Sequence, residues 1–144
     1  MVTICSSRKI THKVIIVSIS NKVIVLVNLL TMPHNLLETK EDFVECLKNN
    51  SLVVVMFFSV CCGPSLMFRA KFDDMAKEYS DVKFVKVDVH ENDETTIACD
   101  INRTPTFHTY KDGSKVAEDA GASQDKLKKL IDDLKAGIRG RKYE

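Results

Sequence analysis

The chain has no tryptophan, only three prolines and five glycines in 144 residues, and no acidic residue before Glu38. Scarce glycine and proline without a repeat exclude collagen-like and low-complexity classes, and no long heptad run supports a coiled coil. No two of the five cysteines (Cys5, Cys46, Cys61, Cys62, Cys99) stand at Cys-x-x-Cys spacing, and the four histidines are scattered. That pattern lacks the ligand spacing of a structural zinc site and makes a poor disulfide framework. No metal and no resident cofactor are therefore expected. Free thiols suit a reducing, cytoplasmic setting. A formal net charge of +1 offers no basic field for nucleic acid.

The near-neutral total hides an asymmetry. Residues 1–37 carry four basic side chains (Arg8, Lys9, Lys13, Lys22) and no acid, which leaves 17 basic against 20 acidic residues from Glu38 onward. The length suits one compact domain with a real core. The composition divides the chain into an extension over residues 1–33, a domain over 34–137 and a basic tail over 138–144 with Arg139, Arg141 and Lys142. Residues 14–32 hold 13 apolar residues in 19, but Lys22 lies near the middle. A mid-membrane lysine costs roughly 2.5–3.5 kcal/mol on insertion scales, and no A-x-A-like cleavage site follows. Three readings stay open for the extension: a secretory or targeting signal, a membrane anchor, or a dispensable or disordered segment ahead of Met32.

Within the domain, Leu36 and Leu37 suggest an edge strand, and Thr39 can cap a helix over 40–49 with Phe43, Cys46, Leu47 and Asn50 inward. Leu52–Phe58 is an unbroken apolar run of strand length, expected as a central strand covered on both faces. A helix over about 65–79 follows, with Met67, Phe68, Phe72, Met75, Ala76 and Tyr79 as its inner face. Val82–Val89 reads as a strand and 91–99 as a short helix. Thr106–Tyr110 and Lys115–Ala120 read as strands joined by Asp112-Gly113, a hairpin signal. A last helix over about 124–136 is capped by Ser123, carries Leu127, Leu130, Ile131 and Leu134 on one face, and stops at Gly137. The order βαβαβαββα predicts an α/β fold, a mixed central sheet with helices on both faces.

Cys46 and Cys99 read as small apolar residues, inert when buried. The chemistry is expected where the apolar strand ends and the long helix begins, because active residues in α/β sheets gather at the carboxyl ends of strands. Cys62-Gly63-Pro64-Ser65 stands there. A thiol at a helix N-terminus faces unpaired N–H groups and the positive end of the dipole, which favour the thiolate nucleophile. Gly63 and Pro64 suit a tight entry into the first turn.

Over residues 34–136 the sequence closely resembles the thioredoxin family. The resemblance rests on Leu52–Ser59 as the central strand, Cys62-Gly63-Pro64 as the start of a Cys-Gly-Pro-Cys site and Val85–Val89 as the next strand. Thr104-Pro105-Thr106-Phe107 resembles the cis-proline segment, and Lys111-Asp112-Gly113 followed by Gly121-Ala122 completes the order. It implies a thioredoxin fold, with Cys62 as nucleophile and Pro105 cis beside it. Cys61, Gly63, Pro64, Thr104 and Gly121 would line the substrate groove, and the backbone of Thr104 would bind an extended chain in strand-like fashion.

Four positions depart from the family pattern. Ser65 stands at the resolving cysteine, Cys61 at the tryptophan before the nucleophile, Met56 at the buried acid of the central strand, and Ala70 at the helix-kinking proline. An alcohol cannot form a disulfide, so Ser65 cannot resolve a mixed disulfide. Without a resolving thiol, a buried acid has no proton to take and only its desolvation cost remains. The joint pattern predicts a one-thiol oxidoreductase in which Cys62 forms mixed disulfides with client proteins or glutathione, Ser65 hydrogen-bonds the thiolate, and an external thiol or thioredoxin reductase system releases the product. The chain is expected as a monomer, with a disulfide-linked dimer open to it when oxidised. A redox-inactive peptide-binding module is the alternative. Third is a glutathione or iron–sulfur carrier like the monothiol glutaredoxins, whose Cys-Gly-Phe-Ser site is similar to Cys62–Ser65.

Overall fold

The computed structural model describes residues 35–138, preceded by the backbone of two strands, β1 (Val14–Ile19) and β2 (Lys22–Val27). These two pair antiparallel, Val14 opposite Val27, in a unit separate from the domain. Cys5, Met32, the rest of the extension and the basic residues of the tail lie outside the described residues. Among the described residues, no helix is long and apolar enough to cross a membrane.

The domain begins with α1 (Lys40–Asn49), closed at its start by a capping box between Thr39 and Asp42. β3 (Leu52–Phe58) follows, then α2 (Gly63–Glu78), β4 (Lys83–Asp88), α3 (Asp93–Ala98), β5 (Thr106–Lys111), β6 (Ser114–Ala120) and α4 (Gln124–Lys135). The sheet order is β4-β3-β5-β6. β4 runs parallel to β3, whereas β5 and β6 run antiparallel to their neighbours. This is the mixed sheet with two covered faces that the apolar run of β3 requires.

The pleat sends alternate residues to opposite faces. Val54, Met56 and Phe58 of β3 meet Phe68, Phe72 and Met75 of α2 and Leu127, Leu130, Ile131 and Leu134 of α4. Val53, Val55 and Phe57 meet Phe43 and Cys46 of α1, with Cys99 and Ile101 packed at the edge. The hairpin turns on Asp112 and Gly113, both at positive φ (49° and 80°), as a two-residue primed turn requires.

Two local expectations are corrected. Leu36 forms a single parallel bridge to Lys86, not a strand, because Thr39 starts α1 before further pairs can form. Met67 is 79% exposed, not part of the inner face of α2. At about 100° per residue, the stripe set by Phe68, Phe72 and Met75 extends back to Ser65, and the long apolar side chain of Met67 falls outside it.

One acid sits badly in the core. Asp119 of β6 is 4% exposed, and neither carboxylate oxygen has a hydrogen-bond partner. The Lys126 ammonium, itself largely exposed, approaches only to 3.9 Å. A buried polar group without hydrogen bonds costs roughly 1–3 kcal/mol on mutational scales. Asp119→Leu is therefore expected to raise the urea-unfolding free energy by about 1–3 kcal/mol. An unchanged or lowered value would show that the carboxylate is satisfied in solution.

Candidate active site

The site is built where β3 ends. Backbone order after Phe58 is kept by Ser59, whose carbonyl accepts the Cys62 N–H at 3.2 Å and whose hydroxyl accepts the Cys61 N–H at 3.2 Å. Cys62 is the N-cap of α2, and its carbonyl accepts the Leu66 N–H at 3.0 Å to open the helix. Gly63 and Pro64 fill the first turn and are exposed. The Cys62 side chain makes no capping bond to the helix N–H groups and the first turn holds no acid, so nothing offsets the positive end of this 16-residue helix.

From the other side, the loop before β5 brings Thr104 and Pro105 to the thiol. The Cys62 Sγ–H donates to the Thr104 carbonyl at 3.6 Å. The Thr104–Pro105 peptide is cis. Pro105 is buried, and its carbonyl accepts the Gly121 N–H at 2.9 Å. Gly121 sits at φ +113°, where any side chain would be strained. Cys62, Thr104, Pro105 and Gly121 are thus linked by direct contacts, although they lie up to 59 positions apart in sequence.

Beneath the thiol, Ser65 is fully buried, and its hydroxyl has no hydrogen-bond partner. Ionised, the sulfur becomes the acceptor that this hydroxyl lacks. The Cys62 thiol is accordingly held below its ordinary pKa. The Ser65 hydroxyl contributes most, followed by the Thr104 hydroxyl and the Ser65 backbone N–H, while desolvation works in the opposite direction. Cys46 and Cys99 differ: burial pushes both thiols up, and a 3.7 Å contact with the Tyr110 hydroxyl only partly offsets this at Cys99. Only an ionised thiol is nucleophilic, so chemistry concentrates at Cys62.

Met56 is fully buried in the apolar cluster with Phe68 and Phe107. Cys61 is exposed, and Val60, Leu66 and Met67 add exposed apolar surface around the same helix start. Replacing Ser65 with alanine is expected to raise the pKa of Cys62. The pH profile of iodoacetamide labelling at Cys62 should move to higher pH, while labelling of Cys99 should not move. An unmoved Cys62 profile would leave the backbone and helix dipole as the sole activators.

Sequence reasoning did not single out His90 or a role for Ser59. His90 Nε2 lies 3.0 Å from Ser59 Oγ, and Asp88 Oδ1 accepts the His90 N–H at 3.0 Å. No local motif signals this. The signal is the parallel register that sets Phe58 against Asp88, so that the residues following both strand ends become neighbours.

A family model described as thioredoxin matches residues 34–133. The thioredoxin of Geodia cydonium is 44% identical over 100 residues, covering 67% of this chain and 94% of that one. That of Rattus norvegicus is 40% identical over 98 residues, covering 67% of this chain and 93% of the relative. Among solved structures, Fasciola hepatica thioredoxin superposes with a TM-score of 0.67 at 36% identity, covering 69% of this chain and 97% of that one. A Plasmodium falciparum thioredoxin gives a TM-score of 0.66, also at 36% identity, covering 68% and 96%.

Proposed function

This chain belongs to the thioredoxin family of thiol–disulfide redox proteins, and from that premise we propose that it exchanges disulfides with a single sulfur, Cys62. The observation that carries this reading is the hydroxyl of Ser65, buried and without another partner under Cys62, where a second sulfur would otherwise resolve the intermediate.

In the first step the Cys62 thiolate attacks one sulfur of a client disulfide. The Cys62–client S–S bond forms, the client S–S bond breaks, and the departing thiolate takes a proton from solvent. No electrons are gained or lost overall, because one disulfide replaces another. Ser65 then stabilises the thiolate form without being able to displace the client. Release requires an external thiolate, with glutathione the reductant proposed here. Its attack on the client sulfur regenerates the Cys62 thiolate and leaves a glutathione–client disulfide. Attack on the Cys62 sulfur instead frees the client and leaves Cys62 glutathionylated until a second glutathione removes the cap. A reductase-linked thiol system is an alternative source of the same electrons. The cytoplasm, where such thiols are kept reduced, is the proposed setting. Clients would lie along Thr104 and Pro105, with Cys61, Gly63, Pro64 and Gly121 at the edges of the groove.

The exposed apolar side chains of Val60, Leu66 and Met67 favour a second reading, a binding module that holds clients without exchange. One trapping experiment separates the two. The reduced chain is mixed with oxidised insulin, quenched with N-ethylmaleimide and mapped by mass spectrometry without reduction. A Cys62–insulin disulfide, absent in Cys62→Ala and released by glutathione, is expected. Non-covalent retention of insulin with no adduct at Cys62 would establish the binding module instead.

A further inference from the structure

Cys61 and Cys62 stand side by side at the site, and nothing in the exchange cycle uses Cys61. Two adjacent thiols can close on each other: two S–H groups become one S–S bond, with two electrons passing to an oxidant and two protons to solvent. Such closure would consume the nucleophile. The eight-membered ring that results is demanding, because both side chains must turn toward each other across one peptide plane.

Here one residue holds that peptide at its N–H and also the peptide just before it, so both amides flanking the Cys61 Cα are fixed. The Ser59 carbonyl takes the Cys62 N–H, and the Ser59 hydroxyl takes the Cys61 N–H. Ser59 itself is 5% exposed, while its partner Cys61 faces solvent. The Ser59 hydroxyl is not free to rotate away, because His90 Nε2 lies 3.0 Å from it and shares a proton with it. The His90 backbone N–H donates at 3.0 Å to Oδ1 of Asp88, an acid that is 6% exposed, which fixes the position of the residue. The chain Asp88–His90–Ser59 therefore runs from the end of β4 through the Ser59 hydroxyl to the Cys61 amide, while the Ser59 carbonyl holds the Cys62 amide. The outcome is visible in the two thiols: Cys61 is exposed, while Cys62 is half-buried with its sulfur on Thr104.

We propose that Ser59, braced by His90, is a positioning residue that keeps Cys61 and Cys62 from closing on each other, so that Cys62 stays available to external sulfur. This inference rests on Cys62 being the exchanging thiol. Neither Ser59 nor His90 touches the reacting sulfurs, so neither is a catalytic residue.

The test uses the full chain and diamide, which accepts the two electrons. After oxidation and quenching with N-ethylmaleimide, the tryptic peptide Asn49–Arg69 holds Cys61 and Cys62 and no other cysteine. Its mass reports ring closure directly. Ser59→Ala is expected to raise the closed-to-open ratio about fivefold, the factor for one lost hydrogen bond of ordinary strength. His90→Phe should act in the same direction, and His90→Gln, which can still reach the Ser59 hydroxyl, should restore the low ratio. Circular dichroism confirms that each variant folds. Should Ser59→Ala not fold, the comparison of His90→Phe with His90→Gln carries the test. Equal closure in the wild type and in both disruptive variants, or failure of His90→Gln to rescue, overturns the proposal. The insulin-trapping experiment with the wild type reads the exchange activity separately. A missing Cys62 adduct there sinks the exchange reading, whereas an altered closure ratio here does not depend on it.

Discussion

Ser65→Cys shortens the lifetime of the Cys62 mixed disulfide by at least about a thousandfold, since well-oriented intramolecular attack reaches effective molarities of roughly 10⁵ M or more, far above any free thiol. Ser65 is fully buried directly below Cys62, one helical turn into α2, so a sulfur introduced there starts within the same turn as the nucleophile. Apart from the Cys62 thiolate the hydroxyl has no hydrogen-bond partner to lose, which makes the exchange of oxygen for sulfur mild for folding. The measurement is the decay of a purified Cys62 mixed disulfide with and without the substitution, followed by insulin-reduction turnover. If the variant decays no faster, the missing second sulfur is not the only obstacle. Met56, which leaves the site without a buried base, and Cys61 then become the residues to change. Adding Met56→Asp has a cost of its own, because a carboxylate would enter the apolar cluster that now holds Phe68 and Phe107.

The second large effect lies on the opposite face and concerns stability. His108 of β5 is 1% exposed, beside the Phe57 ring and 3.2 Å from the Tyr110 hydroxyl. Burial drives its pKa down from 6.5 to about 4; Lys115 pushes the same way and Glu118 against it. Burial wins because Glu118, 3.5 Å away, already shares its charge with Lys115 at 2.7 Å. Below pH 6.5 the unfolded chain binds a proton at this residue that the folded chain refuses until pH falls to about 4. The unfolded state holds more protons across that window, so stability falls as pH falls, and the loss levels off below the folded pKa. The full shift corresponds to roughly 3 kcal/mol. In His108→Gln, which keeps a polar contact for Tyr110 but no titration, the difference in urea stability between pH 7 and pH 4 should be smaller by about that amount. Equal differences for variant and wild type would mean that His108 takes its proton while folded.

Both predictions sit on elements that the sequence announced to different degrees. The central strand was legible because seven consecutive apolar residues of strand length fit only a strand covered twice. α4 was legible because Leu127, Leu130, Ile131 and Leu134 repeat at helical spacing, and all four are buried. α1 announced itself through Thr39 as a cap, and the structure adds the reciprocal bond from Asp42 that completes it. The inner face of α2 was less clear, because its apolar residues run nearly around the helix. Met67 and Phe68 are adjacent and both apolar, and only packing separates the exposed one from the buried one. The edge strand at Leu36 was over-read for a related reason: composition shows that a residue suits a sheet, not how many partners its neighbour has room to offer.

At the candidate site, composition and order along the chain singled out Cys62, Gly63, Pro64 and Ser65 as one cluster, because a thiol at the joint between an apolar strand and an amphipathic helix is a local pattern. The resemblance to the thioredoxin family marked what is missing, a second sulfur at Ser65 and an acid at Met56. Long-range pairing supplied the rest. The approach of Thr104 to Cys62, the isolation of the Ser65 hydroxyl and the reach of His90 to Ser59 depend on strand register and on what each buried group can bond. Those outcomes come from the packing of groups far apart in sequence, where a shift of one residue in register would turn each side chain to the other face.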